Sequence, residues 1–540
     1  MFKTHILLAT LLLATASWPQ PVSLHPDVAI RRLLLVGPQA IRIDHNPVDS
    51  LLYYMHFSGD IHAVDPVTAK RSQAYSASDH GIDAAVGLAI ADDGTFFIVG
   101  NPTQGNDNIG IIVRGTPTAD GREWSIVATT EPYAQSKGRD HKFNAIVVTP
   151  DQRYLLVNSG SRTDHGEEFA TGREYPITSA IFRLPINASD LLLRNDEKAL
   201  RDYLYADGVR NSFDMAFAPN GDLFATENSD TRDNPEELNW IRPGHHYGFP
   251  WRIGTEDTPQ QFADFDPPDS DPLLVPGINM ERTFYNDPGY PPRPEGVVFT
   301  DPVLNVGPDA DHFRDAADGL IKDASNEGRK LGTFTPHSSP LALVFDVDGN
   351  LGGEFRGDGF CMSQNDSTQR KYAPFKDHGE DLLHLELHKI AAEDRYEVAV
   401  TRIARGFTSP VDAVLLDNRL FVVEWTANGA LWEVALPRPT AVAEDLTPRD
   451  FHLFPNYPNP FNAATTIAYT LPRAGHAHLA IYDLTGRKVI DLVADHRPGG
   501  AHRITWHGLD ARGRAVASGV YFSALTFDTH RQIRKMMLLQ

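Results

Sequence analysis

Residues 87–99 read Gly-Leu-Ala-Ile-Ala-Asp-Asp-Gly-Thr-Phe-Phe-Ile-Val, in which a polar turn separates two apolar runs. This pattern predicts a β-hairpin, because Asp-Gly tolerates the positive φ that tight hairpin turns require. Five further segments repeat it, at residues 51–61, 146–157, 215–226, 343–360 and 413–424. Six hairpins with little helical periodicity between them predict an all-β chain, most simply a six-bladed β-propeller.

The length and charge of the chain limit its organisation and its partners. At 540 residues it exceeds what one hydrophobic core usually supports, so two or more domains are expected. It carries 49 basic and 71 acidic residues, a formal net charge of −22. Such an acidic chain is not expected to bind nucleic acid.

The N-terminus has the features of a secretory signal. Lys3 supplies a positive charge, residues 6–14 form an apolar stretch, and Ala-Thr-Ala at 14–16 resembles a cleavage site. We therefore expect a signal peptide at residues 1–17 and no transmembrane segment, because the apolar run is too short to cross a bilayer. Cys361 is the single cysteine, which excludes an intrachain disulfide.

A second boundary is predicted at residues 437–450, a proline-containing linker. Beyond it, residues 451–540 contain short alternating strands, which are typical of a small β-sandwich of immunoglobulin-like size. Residues 454–462 (Phe-Pro-Asn-Tyr-Pro-Asn-Pro-Phe-Asn), 482–487 (Tyr-Asp-Leu-Thr-Gly-Arg) and 519–522 (Gly-Val-Tyr-Phe) follow in an order that resembles the C-terminal sorting domains of type IX secretion cargo. The resemblance implies the type IX secretion machinery as a partner and a secreted or cell-surface product. The alternative is an ordinary appended sandwich module.

The large domain, assigned to residues 28–436, carries a second set of motifs. Residues 208–213 read Gly-Val-Arg-Asn-Ser-Phe, residues 215–223 contain a Pro-Asn-Gly turn, and residues 242–251 read Arg-Pro-Gly-His-His-Tyr-Gly-Phe-Pro-Trp. Their succession resembles the glucose/sorbosone dehydrogenase family of soluble quinoproteins on six-bladed propellers. The similarity extends over residues 80 to 436, and it implies pyrroloquinoline quinone (PQQ) and Ca²⁺ as cofactors.

The resemblance assigns catalytic roles to three residues. His141 would be the base that removes the proton of a sugar hydroxyl, since imidazole has a suitable pKa. Arg210 would stabilise the negative charge that develops at the quinone carbonyl as hydride arrives, and Asn211 would add a neutral donor. The implied partners are a sugar substrate and an external electron acceptor.

Cofactor and metal ligands are also implied by the resemblance. His141, Arg210, Asn211 and His337 are counted among the quinone-binding residues. The backbone carbonyls of Ser229 and Asp230 would hold the calcium beside the quinone, since Ca²⁺ prefers oxygen ligands. The family places groups around a further, structural cation at the positions of Glu237, Tyr247 and Asp257.

The sequence departs from the family at the cations that neutralise the quinone carboxylates. Residues 362–366 (Met-Ser-Gln-Asn-Asp) replace a family lysine, and residues 409–412 (Ser-Pro-Val-Asp) replace a pair of arginines. Arg402 and Arg405 lie a few residues upstream and are the candidate substitutes. Asp164 is the candidate replacement for the aspartate that orients the family's histidine.

Residues 252–332 form a long insertion rich in Asp, Pro and aromatic residues. Long irregular segments in compact domains are usually functional or disordered. Here the insertion would form a lid or a carbohydrate-contacting wall, with Trp251, Phe284, Tyr285 and Tyr290 as stacking surfaces, or else a plain surface loop.

The leading functional prediction is an exported, calcium-dependent quinoprotein that oxidises a hydroxyl of an aldose or related sugar. One alternative is a propeller that lacks catalysis and binds a glycan or protein at the cell surface. Another is a calcium-dependent lactonase, which would need a ring of inward Asp, Asn and Glu side chains. Only Asn144, Glu227 and Asn228 are candidates for that ring.

Overall fold

A computed structural model describes residues 20–119, 121–136, 141–263, 271–274, 287–365, 375, 377, 379–390 and 392–439, and then 452–453, 456, 461, 465–471, 473, 475–497, 500–527 and 530–538. The chain forms two compact units, Met1–Arg438 and Pro439–Gln540. The predicted signal peptide and most of the predicted linker lie outside the described residues.

The described part of the first unit contains six larger, mainly antiparallel sheets and three small ones, and we number the six in chain order by their first strands. Sheet 1 consists of Ala40–Asn46, Leu51–His56, Ile61–Val64 and Arg71–Tyr75. Sheet 2 consists of Ala85–Ile90, Phe96–Gly100, Ile111–Thr118 and Gly121–Thr130, with Leu191–Leu193 added in parallel. Sheet 3 consists of Phe143–Val148, Tyr154–Ser159, Ala180–Pro185 and Leu204–Asp207.

The remaining three sheets follow the same meander. Sheet 4 consists of Ser212–Phe217, Leu223–Glu227 and Glu237–Ile241. Sheet 5 consists of Pro340–Phe345, Gly359–Ser363, Asp381–Ile390 and Arg395–Arg405, and its last strand also pairs with Val22–Ser23 and Leu304–Pro308. Sheet 6 consists of Pro410–Leu416, Arg419–Glu424, Gly429–Ala435 and Ala29–Gly37.

The sheets are arranged in a cycle. The first strand of each sheet lies against the first strand of the next, and the first strand of sheet 6 lies against that of sheet 1. The strand Ala29–Gly37, which precedes sheet 1 in the sequence, completes sheet 6, so this sheet joins an early segment and the last strands of the unit. This closed order is typical of β-propellers, which leave only short sheet edges exposed.

The predicted all-β class is confirmed. Within the described residues the helices are single turns: the α-helices Ala77–His80 and Glu197–Leu200 and the 3₁₀-helices Pro259–Gln261 and Gly353–Phe355. The short remaining strands of this unit are Thr103–Gln104, Asp107–Asn108, Tyr133–Ala134, Arg252–Ile253, Glu256–Asp257, His312–Arg314 and Ile321–Asp323. No described helix is both long and apolar enough to cross a membrane.

Five of the six predicted hairpins join the first and second strands of a sheet, and one does not. The segment at 51–61 joins the second and third strands of sheet 1. The true first hairpin of that sheet turns at residues 46–51, where Val48 N donates to Asn46 Oδ1 and Leu51 N to Asp49 Oδ1. Side-chain bonds of Asn and Asp build this turn without glycine, so it lacks the Asp-Gly signal.

A buried group of one arginine and three aspartates links the first strands. A carboxylate oxygen of each aspartate accepts a backbone N–H from the next sheet, so sheets 6 and 1, 1 and 2, and 4 and 5 are joined. The bonds run from Ile43 N to Asp412 (2.7 Å), from Ile90 N to Asp44 (2.7 Å) and from Leu343 N to Asp214 (2.8 Å). Arg42, Asp44, Asp214 and Asp412, the Arg42 cluster, line a cavity of about 310 Å³ with residues from all six first strands.

Arg42 is the cation of this cluster. Its Nε donates to Val86 O at 2.8 Å and its Nη2 to Phe213 O at 2.6 Å. Its guanidinium carbon lies 4.2 Å from the centroid of the Phe213 ring, and Nη1 lies 3.7 Å from Asp412 Oδ1. One guanidinium thus stands among three buried carboxylates. Burial, the largest cause, raises the pKa of Asp44 to about 7 and that of Asp214 to about 6, and it raises the pKa of Asp412 well above its ordinary value.

The second unit consists of two antiparallel sheets in its described residues. One contains His452–Leu453, Thr465–Leu471 and Gly500–Trp506, and the other Lys488–Arg497, Gly475–Asp483, Gly519–Phe527 and His530–Leu538. Side chains of both sheets, among them Ile467, Trp506, Leu479 and Leu525, form one hydrophobic core. The unit therefore buries one face of each sheet against the other, as a β-sandwich does.

Candidate active and cofactor site

The residues predicted to act in catalysis lie where sheets 3 and 4 begin. His141 stands two residues before Phe143–Val148, and Arg210 and Asn211 stand directly before Ser212–Phe217. These first strands lie side by side, which brings the three residues and the loops after the second strands together. The resulting group, the histidine cluster, comprises His141, Asn144, Asn158, Ser161, Asp164, Arg210, Asn211, Glu227, Asn228, Ser229, Asp230 and Glu236.

Hydrogen bonds determine which nitrogen of His141 is basic. Nδ1 lies 3.0 Å from Ser161 Oγ, and the Ser161 hydroxyl donates to Thr163 O at 2.7 Å. Because the serine proton is used toward Thr163, Ser161 Oγ accepts from His141, which places the proton on Nδ1. Nε2 is then the basic nitrogen. The backbone N–H of His141 also donates to Ser161 O at 2.8 Å, so the loop holds the ring at two points.

Arg210 is buried and fully engaged by the loops around it. Its Nη2 donates to Asp164 Oδ1 at 2.6 Å, its Nε to Asp164 O at 2.8 Å, and its Nη1 to Asn228 O at 2.9 Å. Its backbone N–H donates to Glu227 Oε1 at 2.6 Å. The predicted replacement aspartate, Asp164, thus pairs with the arginine, and its second oxygen accepts the hydroxyl of Thr231 at 2.6 Å.

Four asparagine side chains form a chain of hydrogen bonds that ends on a carboxylate. The side-chain amide of each asparagine donates to a side-chain oxygen of the following member of the series, and the last acceptor is the carboxylate of Glu236. The order is Asn158 to Asn144 (2.7 Å), Asn144 to Asn211 (2.8 Å), Asn211 to Asn228 (2.9 Å) and Asn228 to Glu236 (3.2 Å). Asn211 therefore occupies a defined orientation, because its donor and its acceptor both have partners.

The cluster contains more acid than base. Burial raises the pKa of Glu227 to about 7 and that of Asp230 to about 8, and the Asp164 carboxylate adds to the shift of Asp230. Burial likewise raises the pKa of Glu236. Glu237, the strand partner of Glu227, has its pKa raised by burial first and by the Glu227 charge second. Groups that resist ionisation in this way favour a bound cation.

The atoms near Ser229 and Asp230 fit a calcium ion. Ser229 Oγ and Asp230 Oδ2 are buried and have no hydrogen-bond partner among the described residues. The other Asp230 oxygen is held by the Asn234 amide at 3.0 Å and the Arg232 backbone N–H at 3.1 Å. Oxygen donors of this kind suit Ca²⁺. The sequence had pointed to the backbone carbonyls of these two residues, and the structure adds their side-chain oxygens.

The three residues predicted for a structural cation each have protein partners. Glu237 accepts from the Asn239 amide at 2.7 Å and from the Gly254 backbone N–H. The Tyr247 hydroxyl donates to Trp240 O at 2.6 Å. Asp257 forms an ion pair with Arg293 at 2.7 Å.

Of the two cations predicted to hold the quinone, Arg402 is neutralised by the chain itself. Arg402 donates to Asp381 and Asp377 and lies 3.4 Å from Asp309 Oδ1. Arg405 is exposed on the last strand of sheet 5.

His337 also has an acidic partner. Its Nε2 lies 2.8 Å from Asp233 Oδ1, and the other oxygen of that carboxylate bonds to Arg314 at 2.6 Å. Burial lowers the pKa of His337, but the bond to Asp233 and the nearby acids outweigh it and raise the pKa overall. A tricarboxylate such as PQQ therefore fits this site only once a cation has offset the surplus of acid.

Three residues of the cluster were not predicted from the sequence: Asn158, Ser161 and Glu236. Asn158 lies near the end of the second strand of sheet 3 (Tyr154–Ser159), Ser161 follows that strand, and Glu236 directly precedes the third strand of sheet 4 (Glu237–Ile241). Polar residues at the end of, or in the loop after, the second strand of a predicted hairpin were the signal that would have found them.

Of the aromatic residues predicted to offer stacking surfaces, the two that the structure describes, Trp251 and Tyr290, contact neighbouring loops of the protein. Tyr290 is buried, and its hydroxyl lies within hydrogen-bond distance of two carbonyl oxygens, His165 O (2.9 Å) and Pro250 O (2.8 Å). Trp251 stacks on Phe299 and donates through Nε1 to Pro291 O at 2.8 Å. Phe284 and Tyr285 lie outside the described residues.

Comparisons with known proteins bear on the same region. The sequence model of the Glucose / Sorbosone dehydrogenase family matches residues 73–267, which include sheets 2 to 4 and the histidine cluster. Quinoprotein glucose dehydrogenase B of Acinetobacter calcoaceticus is 25% identical over 134 residues, 22% of this chain. That match spans 28% of the length of the relative.

Solved structures with a similar chain path include three sugar dehydrogenases. The PQQ-bound aldose sugar dehydrogenase of Streptomyces coelicolor is 14% identical, covers 77% of this chain and 99% of its own, and has a TM-score of 0.42. The apo soluble aldose sugar dehydrogenase of Escherichia coli is 13% identical (76% and 99%, TM-score 0.47). The holo PQQ domain of pyranose dehydrogenase from Coprinopsis cinerea is 12% identical (78% and 98%, TM-score 0.49).

Proposed function

We propose that the chain is an exported sugar dehydrogenase of the glucose/sorbosone dehydrogenase kind, built on a six-bladed propeller and dependent on PQQ and Ca²⁺. The substrate is an aldose or a related sugar. The family match over residues 73–267 and the partial identity to a quinoprotein support this proposal. The observation that carries it is the geometry of His141, whose proton is held on Nδ1 by Ser161 beside the buried Arg210.

In this proposal the side chains divide the work of oxidation. Nε2 of His141 removes the proton of the sugar hydroxyl, and Ser161 keeps the ring in the required tautomer. When bound, PQQ supplies the acceptor for the hydride. Arg210 would stabilise negative charge on the bound quinone, and Asn211, oriented by Asn144 and Asn228, would add a neutral donor.

The surplus of acid implies an order of binding. Asp230, Ser229 and their neighbours would take up Ca²⁺ first, because buried carboxylates without a cation are costly. The cation would then offset the charge that otherwise repels the quinone carboxylates. PQQ affinity should therefore depend on Ca²⁺, more strongly than screening by salt would explain.

We propose that the protein is exported from the cell in two steps. A signal peptide at residues 1–17 would direct the chain out of the cytoplasm, and residues 451–540 would be the immunoglobulin-like sorting domain recognised by the type IX machinery. The product would be secreted or held at the cell surface, where an external acceptor takes the electrons. Deletion of residues 451–540 should then leave the protein in the periplasm, as measured by fractionation and immunoblotting.

The decisive experiment is a PQQ titration of the purified chain with Ca²⁺ and with chelator, followed by dye reduction with a panel of aldoses. We expect saturable, Ca²⁺-dependent binding and sugar-dependent reduction. His141→Gln should lower kcat by about 10²- to 10⁴-fold, the usual contribution of a positioned base, with PQQ still bound. His388→Gln, a partly exposed histidine of sheet 5, is the matched control. Absence of PQQ binding at micromolar concentrations would reject the dehydrogenase.

The asparagine chain supports one second candidate, a calcium-dependent lactonase. Asn144, Asn211, Asn228 and Glu227 do converge in one cluster, although they come from sheets 3 and 4 alone. Lactone hydrolysis that requires Ca²⁺ but no quinone would identify this activity. If both assays are negative, a glycan- or protein-binding propeller becomes the working hypothesis.

A further inference from the structure

A second group of possible metal ligands lies in the insertion between sheets 4 and 5. The short strands His312–Arg314 and Ile321–Asp323 form a hairpin in which His312 pairs with Asp323. Asp311 directly precedes the first strand. One ligand atom from each of Asp311, His312 and Asp323 lies within 4.8 Å of the others, which is close enough to surround one ion.

Neighbouring groups orient the two carboxylates. The Ser325 backbone N–H donates to Asp311 Oδ2 at 2.8 Å, and the Ser325 hydroxyl donates to Asp323 Oδ1 at 3.0 Å. The Asn326 backbone N–H adds a second bond to Asp323 Oδ1 at 2.9 Å. One oxygen of each carboxylate is thus held by the protein, and the other remains for a ligand. Supporting bonds of this type are typical around metal ligands.

Two further atoms of the group, Asp311 Oδ1 and His312 Nδ1, have no hydrogen-bond partner among the described residues. Asp311 is 1% exposed, yet its Oδ1 forms no hydrogen bond with any described residue. His312 Nδ1 is also buried and without a partner, although the His312 backbone N–H donates to Thr335 Oγ1 at 3.2 Å. Buried polar atoms in proteins almost always form hydrogen bonds or bind a ligand. Two buried polar atoms without a hydrogen bond in one group therefore indicate a ligand.

No positive side chain of the described residues compensates the two carboxylates, because the nearby cations are paired elsewhere. Lys322 bonds to Asp315 at 2.7 Å and to Asp318 at 2.9 Å, and Arg314 bonds to Asp233 at 2.6 Å. Two close carboxylates at least partly removed from water repel each other strongly unless a cation lies between them.

We propose that Asp311, His312 and Asp323 bind a divalent first-row transition-metal ion, Zn²⁺, with water completing the coordination. The donor set decides between ions. Ca²⁺ and Mg²⁺ take oxygen ligands, whereas an imidazole together with carboxylates suits Zn²⁺ and its neighbours. This site is separate from the calcium proposed at Ser229 and Asp230, and it does not depend on the quinone.

The ion would fasten the insertion to sheet 5. Thr335, which receives the His312 N–H, donates its own hydroxyl to Asp377 at 2.6 Å, and Asp377 pairs with Arg402 of sheet 5. A metal bound to His312 would therefore stabilise the series of hydrogen bonds that runs from this hairpin through Thr335 and Asp377 to Arg402. We expect Zn²⁺ to raise the Tm of the chelator-treated chain.

The test uses the full chain, treated with chelator and then titrated with Co²⁺ in the presence of excess Ca²⁺. We expect visible absorption bands that saturate at one Co²⁺ per chain and disappear when one equivalent of Zn²⁺ is added. His312→Gln and Asp323→Asn should each weaken Co²⁺ binding by at least about tenfold. The control is Asp318→Asn. Asp318 lies in the turn of the same hairpin and pairs with Lys322, so this variant should bind Co²⁺ with the affinity of the parent.

The opposite results would overturn the proposal. Binding of Co²⁺ by His312→Gln with unchanged affinity would remove the histidine from the site, and a failure of the parent chain to bind Co²⁺ or Zn²⁺ would remove the site itself. Equal Tm values of parent and variants in chelator would show that the variants fold. If they do not fold, X-ray absorption of the Zn²⁺-loaded parent decides, since the absence of imidazole scattering would reject the assignment.

Discussion

The histidine cluster and the Arg42 cluster both bury several carboxylates beside the first strands, but they bond them differently. In the Arg42 cluster, all three aspartates accept backbone N–H groups of a neighbouring sheet. In the histidine cluster, most bonds join one side chain to another, and Asp230 Oδ2, Ser229 Oγ and Asn158 Oδ1 have no partner among the described residues.

This difference separates structural acids from acids that await a ligand. A carboxylate that accepts backbone N–H groups is stabilised by the fold and joins two sheets. A buried carboxylate with an unsatisfied oxygen reduces stability until a cation or a donor reaches it. Burial and raised pKa occur in both clusters, so neither property alone identifies the binding site; the partner of each oxygen does.

The largest effect is expected from removing the cation of the Arg42 cluster. Arg42→Met leaves three buried carboxylates without a positive charge, and the loss of one partner from a buried charge group costs about 3–5 kcal/mol. Urea unfolding should show this loss, while PQQ and Ca²⁺ affinities of the folded variant stay unchanged. Weakened cofactor binding without a stability loss would reverse the roles of the two clusters.

Asp230→Asn should weaken Ca²⁺ binding without reducing stability, the reverse of the effect expected for Arg42→Met. Burial and the Asp164 charge already disfavour the ionised form of Asp230, so the neutral asparagine should leave the chelator-treated variant at least as stable as the parent. Its Ca²⁺ affinity should fall by at least about 100-fold, roughly 2.8 kcal/mol, because a charged oxygen ligand is lost. Calorimetric titration measures the affinity, and thermal unfolding in chelator measures the stability. Asp233→Asn is not a suitable control, because Asp233 pairs with Arg314.

The Arg42 cluster also predicts how stability changes with pH. Burial raises the pKa of Asp44 from 3.8 to about 7, so the folded chain holds a proton that the unfolded chain releases between these values. This contribution is fully present below pH 3.8 and is lost as the pH rises through 7. Asp44→Asn should flatten the decline of the unfolding free energy between pH 5 and 7 by on the order of 1–2 kcal/mol. An unchanged slope would mean that Arg42 keeps Asp44 ionised despite Asp214 and Asp412.

The smallest effect is expected at the end of the asparagine chain. Asn158→Ala removes the 2.7 Å bond to Asn144, and a single hydrogen bond contributes about 1 kcal/mol to stability. If the asparagine chain orients Asn211, the same substitution should also lower kcat for sugar oxidation several-fold with little change in KM. A variant that loses stability but keeps kcat would limit the asparagine chain to a structural role.

Much of the fold follows from local sequence. The hairpins at residues 87–99, 146–157, 215–226, 343–360 and 413–424 could be predicted because their turns carry Asp, Asn or Gly next to apolar runs. The predicted hairpin at residues 51–61 is also present, between the second and third strands of sheet 1. The hairpin before it was missed, since its turn relies on side-chain bonds of Asn46 and Asp49. Motif order likewise located His141, Arg210 and Asn211, which lie in adjacent loops.

The partners of the candidate site could not be predicted in the same way. Arg402 was a candidate for the quinone clamp, but Asp309, 93 residues away in the chain, and Asp377 surround it together with Asp381. Trp251 and Tyr290 were expected to offer stacking surfaces to a carbohydrate, and they bond to backbone carbonyls of neighbouring loops. In each case the deciding contact comes from a distant segment.

The sequence by itself determined the all-β class, the positions of most hairpins and the residue types available for base catalysis and metal binding, because turn chemistry and apolar periodicity act over a few residues. Only the tertiary structure decided which carboxylates join sheets and which keep an unsatisfied oxygen, which nitrogen of His141 is basic, and that Arg402 is already neutralised. These outcomes depend on hydrogen-bond partners brought together by the packing of whole sheets, and no local pattern encodes them.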